Sequence, residues 1–218
     1  MTHTLHRRGT DDSLKNDYVL LVTAASGINH VGSLDKLRKV LEVIWEVGPA
    51  NVGSQHLGTV LQGYSLDEIK AALNEVPRIR CAFSSKDKMR SIIHRLQEMD
   101  LGISVTVEGP TEDIIEMSRE MGIKPHSANL SLDIWGRKGD LPPEDVLEFV
   151  TMCGHGLISQ HLVKKIIDDV KTGRKTPEKA AVQIGIPCVC GIYNPDRAMQ
   201  LLQKYVPLKK SDIDNQEK

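Results

Sequence analysis

Aromatic residues are scarce: Phe, Trp and Tyr together make up 4% of the 218 residues. Little material is left for the base-stacking platforms of single-strand nucleic-acid binders. Neither sign of charge dominates, with 28 Lys and Arg against 29 Asp and Glu, a net charge of −1. The broad basic footprint of a general nucleic-acid binder is therefore missing, while a local basic patch is compatible with this balance. No apolar run reaches the roughly 18–20 residues of a membrane span. The opening Met1-Thr-His-Thr-Leu-His-Arg-Arg-Gly9 lacks the apolar stretch of a secretory signal. The expectation is a cytoplasmic chain with no nucleic-acid partner and no membrane. Its length suits one domain or a domain and a half, enough to bury a core.

Several catalytic signatures are missing too. There is no G-x-x-x-x-G-K-[ST] phosphate loop, no G-x-G-x-x-G after a strand, no G-x-S-x-G elbow and no H-E-x-x-H. Paired catalytic carboxylates cannot be picked out.

What is present is a cluster of cysteines. Of Cys81, Cys153, Cys188 and Cys190, three lie in the last third of the chain. Without an export signal, disulfides are not the first reading, and the single residue between Cys188 and Cys190 would strain one.

Residues 1–16 read as a polar arm. Asp17–Thr23 is an apolar run rich in β-formers and predicts a buried strand. Ser33 caps a helix whose Leu34, Leu37, Val40, Leu41 and Ile44 recur at threes and fours. Residues 48–65, with four glycines, read as a long connection or in part a short strand. Ser65-Leu-Asp-Glu68 is a capping box. Alternation predicts strands over 78–83 and 103–107, and 128–134 reads as a further strand. Helices are predicted over 85–99 and 112–121. Strands alternating with helices imply a largely parallel or mixed sheet with helical cover. After Trp135-Gly136 the pattern is helical, with Thr176-Pro and Asn194-Pro as strong helix starts. The fold class is α/β: an N-terminal β-α-α-β-α-β-α-β domain over 17–136, then an all-helical, cysteine-bearing domain over 140–206. Residues 1–16 and 207–218 are arms.

Cys153-Gly-His155-Gly and Cys188-Val-Cys190-Gly carry the main candidate chemistry. Pro187 and Gly191 release the second pair from helical geometry, so both sulfurs can turn toward one ion. Three thiolates with His155 make a Cys3His set suited to zinc. Three thiolates alone could hold an iron–sulfur cluster with one iron open. Cys81 and His161 are spare ligands. The competing readings are cysteines as small buried apolar groups and a thiol redox pair with a depressed pKa.

Three further groups are candidate ligand contacts. His3, His6, Arg7 and Arg8 on the arm could close over an anion, since guanidinium forks match phosphate or carboxylate. Asn51, Ser54 and His56 in the glycine-rich stretch could cradle one, as could Ser26–His30. His126 could act near the sheet. The bland alternatives are a solvated tail, an irregular loop and a structural histidine.

Met152-Cys-Gly-His-Gly156 and Pro187-Cys-Val-Cys-Gly-Ile-Tyr-Asn-Pro-Asp-Arg-Ala198 resemble an uncharacterised family of methanogenic archaea and other strict anaerobes. The His3–Gly9 arm and Ser131–Gly136 look like parts of the same pattern. The resemblance implies an anaerobic setting in which an oxygen-sensitive cluster survives. It implies no established activity and no catalytic residue. The expected function is therefore a metal- or iron–sulfur-binding protein of anaerobic metabolism, with an open ion acting as Lewis acid on a small anionic molecule. The alternative is a non-catalytic ligand-binding or regulatory module, with residues 78–107 as an effector-binding or dimerising sheet. Either is compatible with a homo-oligomer.

Overall fold

The computed structural model describes residues 7–74, 76, 78–131 and 134–207. A short helix α1 (Asp11–Leu14) leads into β1 (Tyr18–Thr23), the apolar run near the start. Then come α2 (Ser33–Val47), β2 (Asn51–Ser54), β3 (Gly58–Thr59), α3 (Leu66–Ala71), β4 (Arg78–Phe83), α4 (Lys86–Met99), β5 (Ser104–Glu108) and α5 (Thr111–Glu120). The C-terminal part holds α6 (Glu144–Val150), α7 (Gln160–Lys171), α8 (Pro177–Gly185) and α9 (Pro195–Gln203). The chain is α/β, with a sheet under helical cover and a helical C-terminal region. No helix among the described residues is long and apolar enough to cross a membrane.

The sheet has the order β3-β2-β4-β1-β5, and every pairing is antiparallel. This corrects the expectation of a parallel or mixed sheet. Each helical crossover skips one strand. β1 and β2 are joined through α2, yet β4 lies between them. β4 and β5 are joined through α4 and flank β1. Two split β-α-β units thus interleave, and neighbouring strands run in opposite senses. This is the β-α-β-β-α-β path of ferredoxin-like folds, extended at one edge by β3. The name describes the chain path alone. Strand–helix alternation is the same for this path and for a parallel sheet, so the sequence did not distinguish them.

Two strands come from the glycine-rich stretch, β2 and β3. The strand expected over 128–134 is not found at residues 128–131 or Ile134, which are irregular; 132–133 lie outside the described residues. Helix starts follow the sequence closely. Ser65 and Glu68 form the capping box of α3, and Thr176 and Asn194 cap α8 and α9, each with proline next. Ser33 is the exception. Gly32 is the cap of α2, and the Ser33 hydroxyl donates instead to His30 O at 2.7 Å.

Strand alternation splits the core into two. Tyr18, Leu20 and Val22 of β1, with Ile79, Cys81 and Phe83 of β4, pack against α2, α3, α4 and α5. Val19 belongs to the other core, with residues of α6 to α9 and the loops between them. The C-terminal helices therefore cover the face of the sheet that α2–α5 leave open. β4 is an interior strand, and β5 is an edge on which Val105 is exposed.

Glu108, at the end of β5, has Oε2 buried without a hydrogen-bond partner. Burial raises its carboxyl to about 6, against the pull of Arg7. A carboxyl raised in the fold binds protons more tightly folded than unfolded. It therefore destabilises the fold at neutral pH, and that cost is relieved as pH falls through about 6 toward its ordinary 4.5. Glu108→Gln is expected to stabilise the protein at pH 7 by up to about 2 kcal/mol and to flatten the pH dependence across this window. Urea unfolding at two pH values measures it; equal stability of variant and wild type at pH 7 contradicts it.

Candidate metal centre

Three of the four cysteines meet on the C-terminal face of the sheet. Cys153 lies in the turn after α6, where its amide donates to Val150 O and its carbonyl accepts from Gly156. Cys188 and Cys190 lie between α8 and α9. Pro187 cannot continue α8, and the Cys188 amide turns back to Gly185 O at 2.9 Å. Gly191 then has φ +95°, and a Cβ there would fall 2.5 Å from Gly53 N and 2.6 Å from Arg80 O. Only glycine lets this loop lie directly on the backbones of β2 and β4.

The side chains touch in sequence. Cys153 is close enough to Cys188 for the two thiols to bear on each other's ionisation. Cys188 Sγ lies 4.0 Å from Cys190 Sγ, and Cys190 Sγ lies 3.6 Å from His155 Nδ1. The three cysteines are buried, at 0–3% exposure, whereas His155 is exposed at the outer end. Among the described residues no group of three or more His, Cys, Asp or Glu is preset to hold a metal ion. The four side chains form a chain of contacts, with Cys153 and His155 at its ends.

The thiols are graded in acidity. The bond to Cys188 and burial push Cys153 up. The bond from Cys153 favours ionised Cys188, but Cys190 beside it and burial outweigh that and push it up. Cys190 is pulled down by the bond from Cys188, against its burial, and helped by the Ile192 amide and the Arg80 guanidinium. Cys190 is thus the first of the three to ionise, its two neighbours remaining donors.

Cys81 is not part of this group. It lies in the opposite core, its Sγ 3.8 Å from Leu20 O, and burial pushes its thiol far up. The sheet separates it from the other three.

The remaining sequence candidates scatter. His3 and His6 lie outside the described residues. Arg7 is turned inward: its guanidinium donates to Met152 O at 3.1 Å and Ile192 O at 2.5 Å and pairs with Asp17. The arm thereby ties together the segments that carry Cys153 and Cys190. Arg8 pairs with Glu144 at 2.7 Å, and its amide donates to Thr151 Oγ1. Asn51 is buried and donates to Tyr193 O at 3.1 Å. Ser54 is buried and accepts from the His56 amide. His56 contacts Asn74 and, with Asn74, Val76 and Arg78, lines a surface depression of ≈ 490 Å³ that shares no residue with the cysteine group. His126 and His161 are exposed.

Sequence reading missed Arg80. It is 3% exposed on β4, beside the loop that carries Cys190. The signal was there: Arg80 is a charge between Ile79 and Cys81 in an otherwise apolar strand interior. It also missed Asp17, fully buried between Arg7 and Arg197.

Comparison with protein-family models, with curated proteins and with solved structures finds no match.

Proposed function

We propose that this chain is a metal-binding protein in which Cys153, Cys188, Cys190 and His155 hold one tetrahedral ion, zinc being the best fit. The observation that carries the reading is the pair of contacts at Cys190, 4.0 Å to Cys188 Sγ and 3.6 Å to His155 Nδ1. With Zn–S about 2.3 Å and Zn–N about 2.0–2.1 Å, tetrahedral angles set an S···S edge of ~3.8 Å and an S···N edge of ~3.5 Å. Two edges of the polyhedron are thus close to the required lengths. Binding needs Cys153 and His155, the chain's two ends, to turn toward the common centre. Both are in turns outside regular helix, where side-chain rotation disturbs no ladder.

A cubane iron–sulfur cluster fits less well. Each of its cysteines binds a separate iron, so its sulfurs stand much further apart than this pair. Four protein ligands and buried sulfurs make a closed site, whose role is to hold structure rather than to activate a substrate. The residues that an anion would need, Arg7 and Arg8, are engaged in contacts within the chain. The alternative, a module with purely structural cysteines, is favoured by the complete burial of the thiols.

Metal and acid-labile sulfide analysis on anaerobically purified protein separates the readings. Zinc near one per chain, absent from Cys188→Ala but kept in Cys81→Ala, is expected. Iron with sulfide in stoichiometric amount replaces zinc by a cluster. Four free thiols and no metal leave the structural-cysteine module.

A further inference from the structure

Arg80 is a charge in the interior that the metal site as described does not account for. It is 3% exposed, and Gln55 Oε1 accepts from its Nη1 at 3.1 Å. Its Nε is buried without a partner. Among the described residues no carboxylate pairs with it. A guanidinium removed from water needs a compensating anion, since the cost of leaving it alone is large. Its place in the sheet limits which groups can supply one. Ile79, Cys81 and Phe83 fill the core under α2–α5, so Arg80 and Ala82 belong to the opposite face. There the loop after Cys190 lies on Arg80's own carbonyl, at Gly191.

We infer that Arg80 is the countercharge of the Cys153, Cys188 and Cys190 thiolates, and that it sets the affinity of their site for a divalent ion. The inference rests on the metal-binding reading above. Three thiolates, a neutral imidazole and a divalent ion sum to −1, and Arg80 brings the buried unit to zero. The electrostatics agree in direction: Cys190 and Cys188 support the charged form of Arg80 against its burial. Arg80 touches no ligand atom of the ion and is a positioning and charge-balancing residue, like the outer partners that tune other metal sites.

The test is competition for Zn²⁺ against a chromophoric chelator, with full-length wild type, Arg80→Met, Arg80→Gln and Arg80→Lys. The neutral variants are expected to bind Zn²⁺ about 10- to 100-fold more weakly. Arg80→Lys, which keeps the charge, is expected to recover most of that loss. Substituting Co²⁺ gives a readout that a merely structural defect would alter. The thiolate-to-cobalt absorption per bound ion should be the same in all four proteins, because the ligands are unchanged. Arg80→Gln retains a polar head for Gln55 and guards against failure of Arg80→Met to fold. Neutral variants that bind zinc as tightly as wild type overturn the inference. So does an equal loss in Arg80→Lys, which assigns the effect to shape. A wild type that takes up neither zinc nor cobalt overturns the metal-binding reading itself, a result the variants cannot mimic.

Discussion

On the metal-binding reading proposed above, a strong chelator is expected to lower the unfolding midpoint of zinc-loaded protein by about 10 °C. An ion that binds the folded chain alone stabilises it by about 4 kcal/mol when free metal is a thousandfold above Kd, and each kcal/mol moves the midpoint of a chain this size by about 2–4 °C. The effect is large because the ligands come from two segments far apart in the chain. Cys153 and His155 follow α6, whereas Cys188 and Cys190 precede α9. An unfolded chain must close that loop before it can offer four ligands, so the ion's binding energy is expressed in folding. Calorimetry with and without chelator measures the shift, and re-adding Zn²⁺ should restore it. Cys188→Ala should show no chelator effect at all, while Cys81→Ala, altered on the far side of the sheet, should show the full one. Identical midpoints for wild type with and without chelator contradict the prediction.

Arg197→Met is expected to cost about 3–5 kcal/mol, the range for breaking a buried ion pair from one side. Arg197 and Asp17 are fully buried and 2.7 Å apart. Arg197 also donates to Ser13 Oγ at 2.9 Å and Arg8 O at 2.6 Å. Asn194 does double duty beside it, capping α9 through the Arg197 amide and donating to Asn16 O and Asp17 Oδ1. These bonds fasten the N-terminal arm and the start of β1 to the start of α9. Methionine keeps the volume and removes every donor, so Asp17 has less support and the Arg8 carbonyl loses the Arg197 donor. Chemical denaturation should show the loss as a lower midpoint with an unchanged slope. The double variant Asp17→Asn with Arg197→Met should cost less than the sum of the two single changes. A loss under about 1 kcal/mol, the scale of a surface pair, would contradict the assignment.

The elements that could be read from sequence are those whose signal is local. β1, β4 and β5 carry runs or alternation that survive almost unchanged in the structure, and so do the caps at Ser65, Thr176 and Asn194. The closeness of Cys188 to Cys190 and of Cys190 to His155 was suggested by the loops that proline and glycine mark. β2 and β3 were hard to see because glycine, serine and asparagine have little β-propensity of their own. Pairing with β4, and cover by Tyr193 through Asn51, holds β2 in place. Residues 128–131, which read as part of a strand, are irregular in the structure. Arg7 read as a solvent-facing anion clamp. It became an internal brace because Asp17 and two backbone carbonyls outcompete water for it once the C-terminal helices cover the sheet.

The sequence by itself determined the class of the fold, the caps of α3, α8 and α9, and the break from helical geometry that Pro187 and Gly191 impose around Cys188 and Cys190. Each of these depends on the chemistry of a few adjacent residues. Strand order, the antiparallel sense of every pair, the burial of Arg80 beside the thiols and the Arg7–Asp17–Arg197 brace were decided by tertiary structure. They join residues more than a hundred positions apart or set two strands side by side across a third. Such contacts arise only when the two faces of one sheet are both covered, and no local pattern encodes which distant segment will cover them.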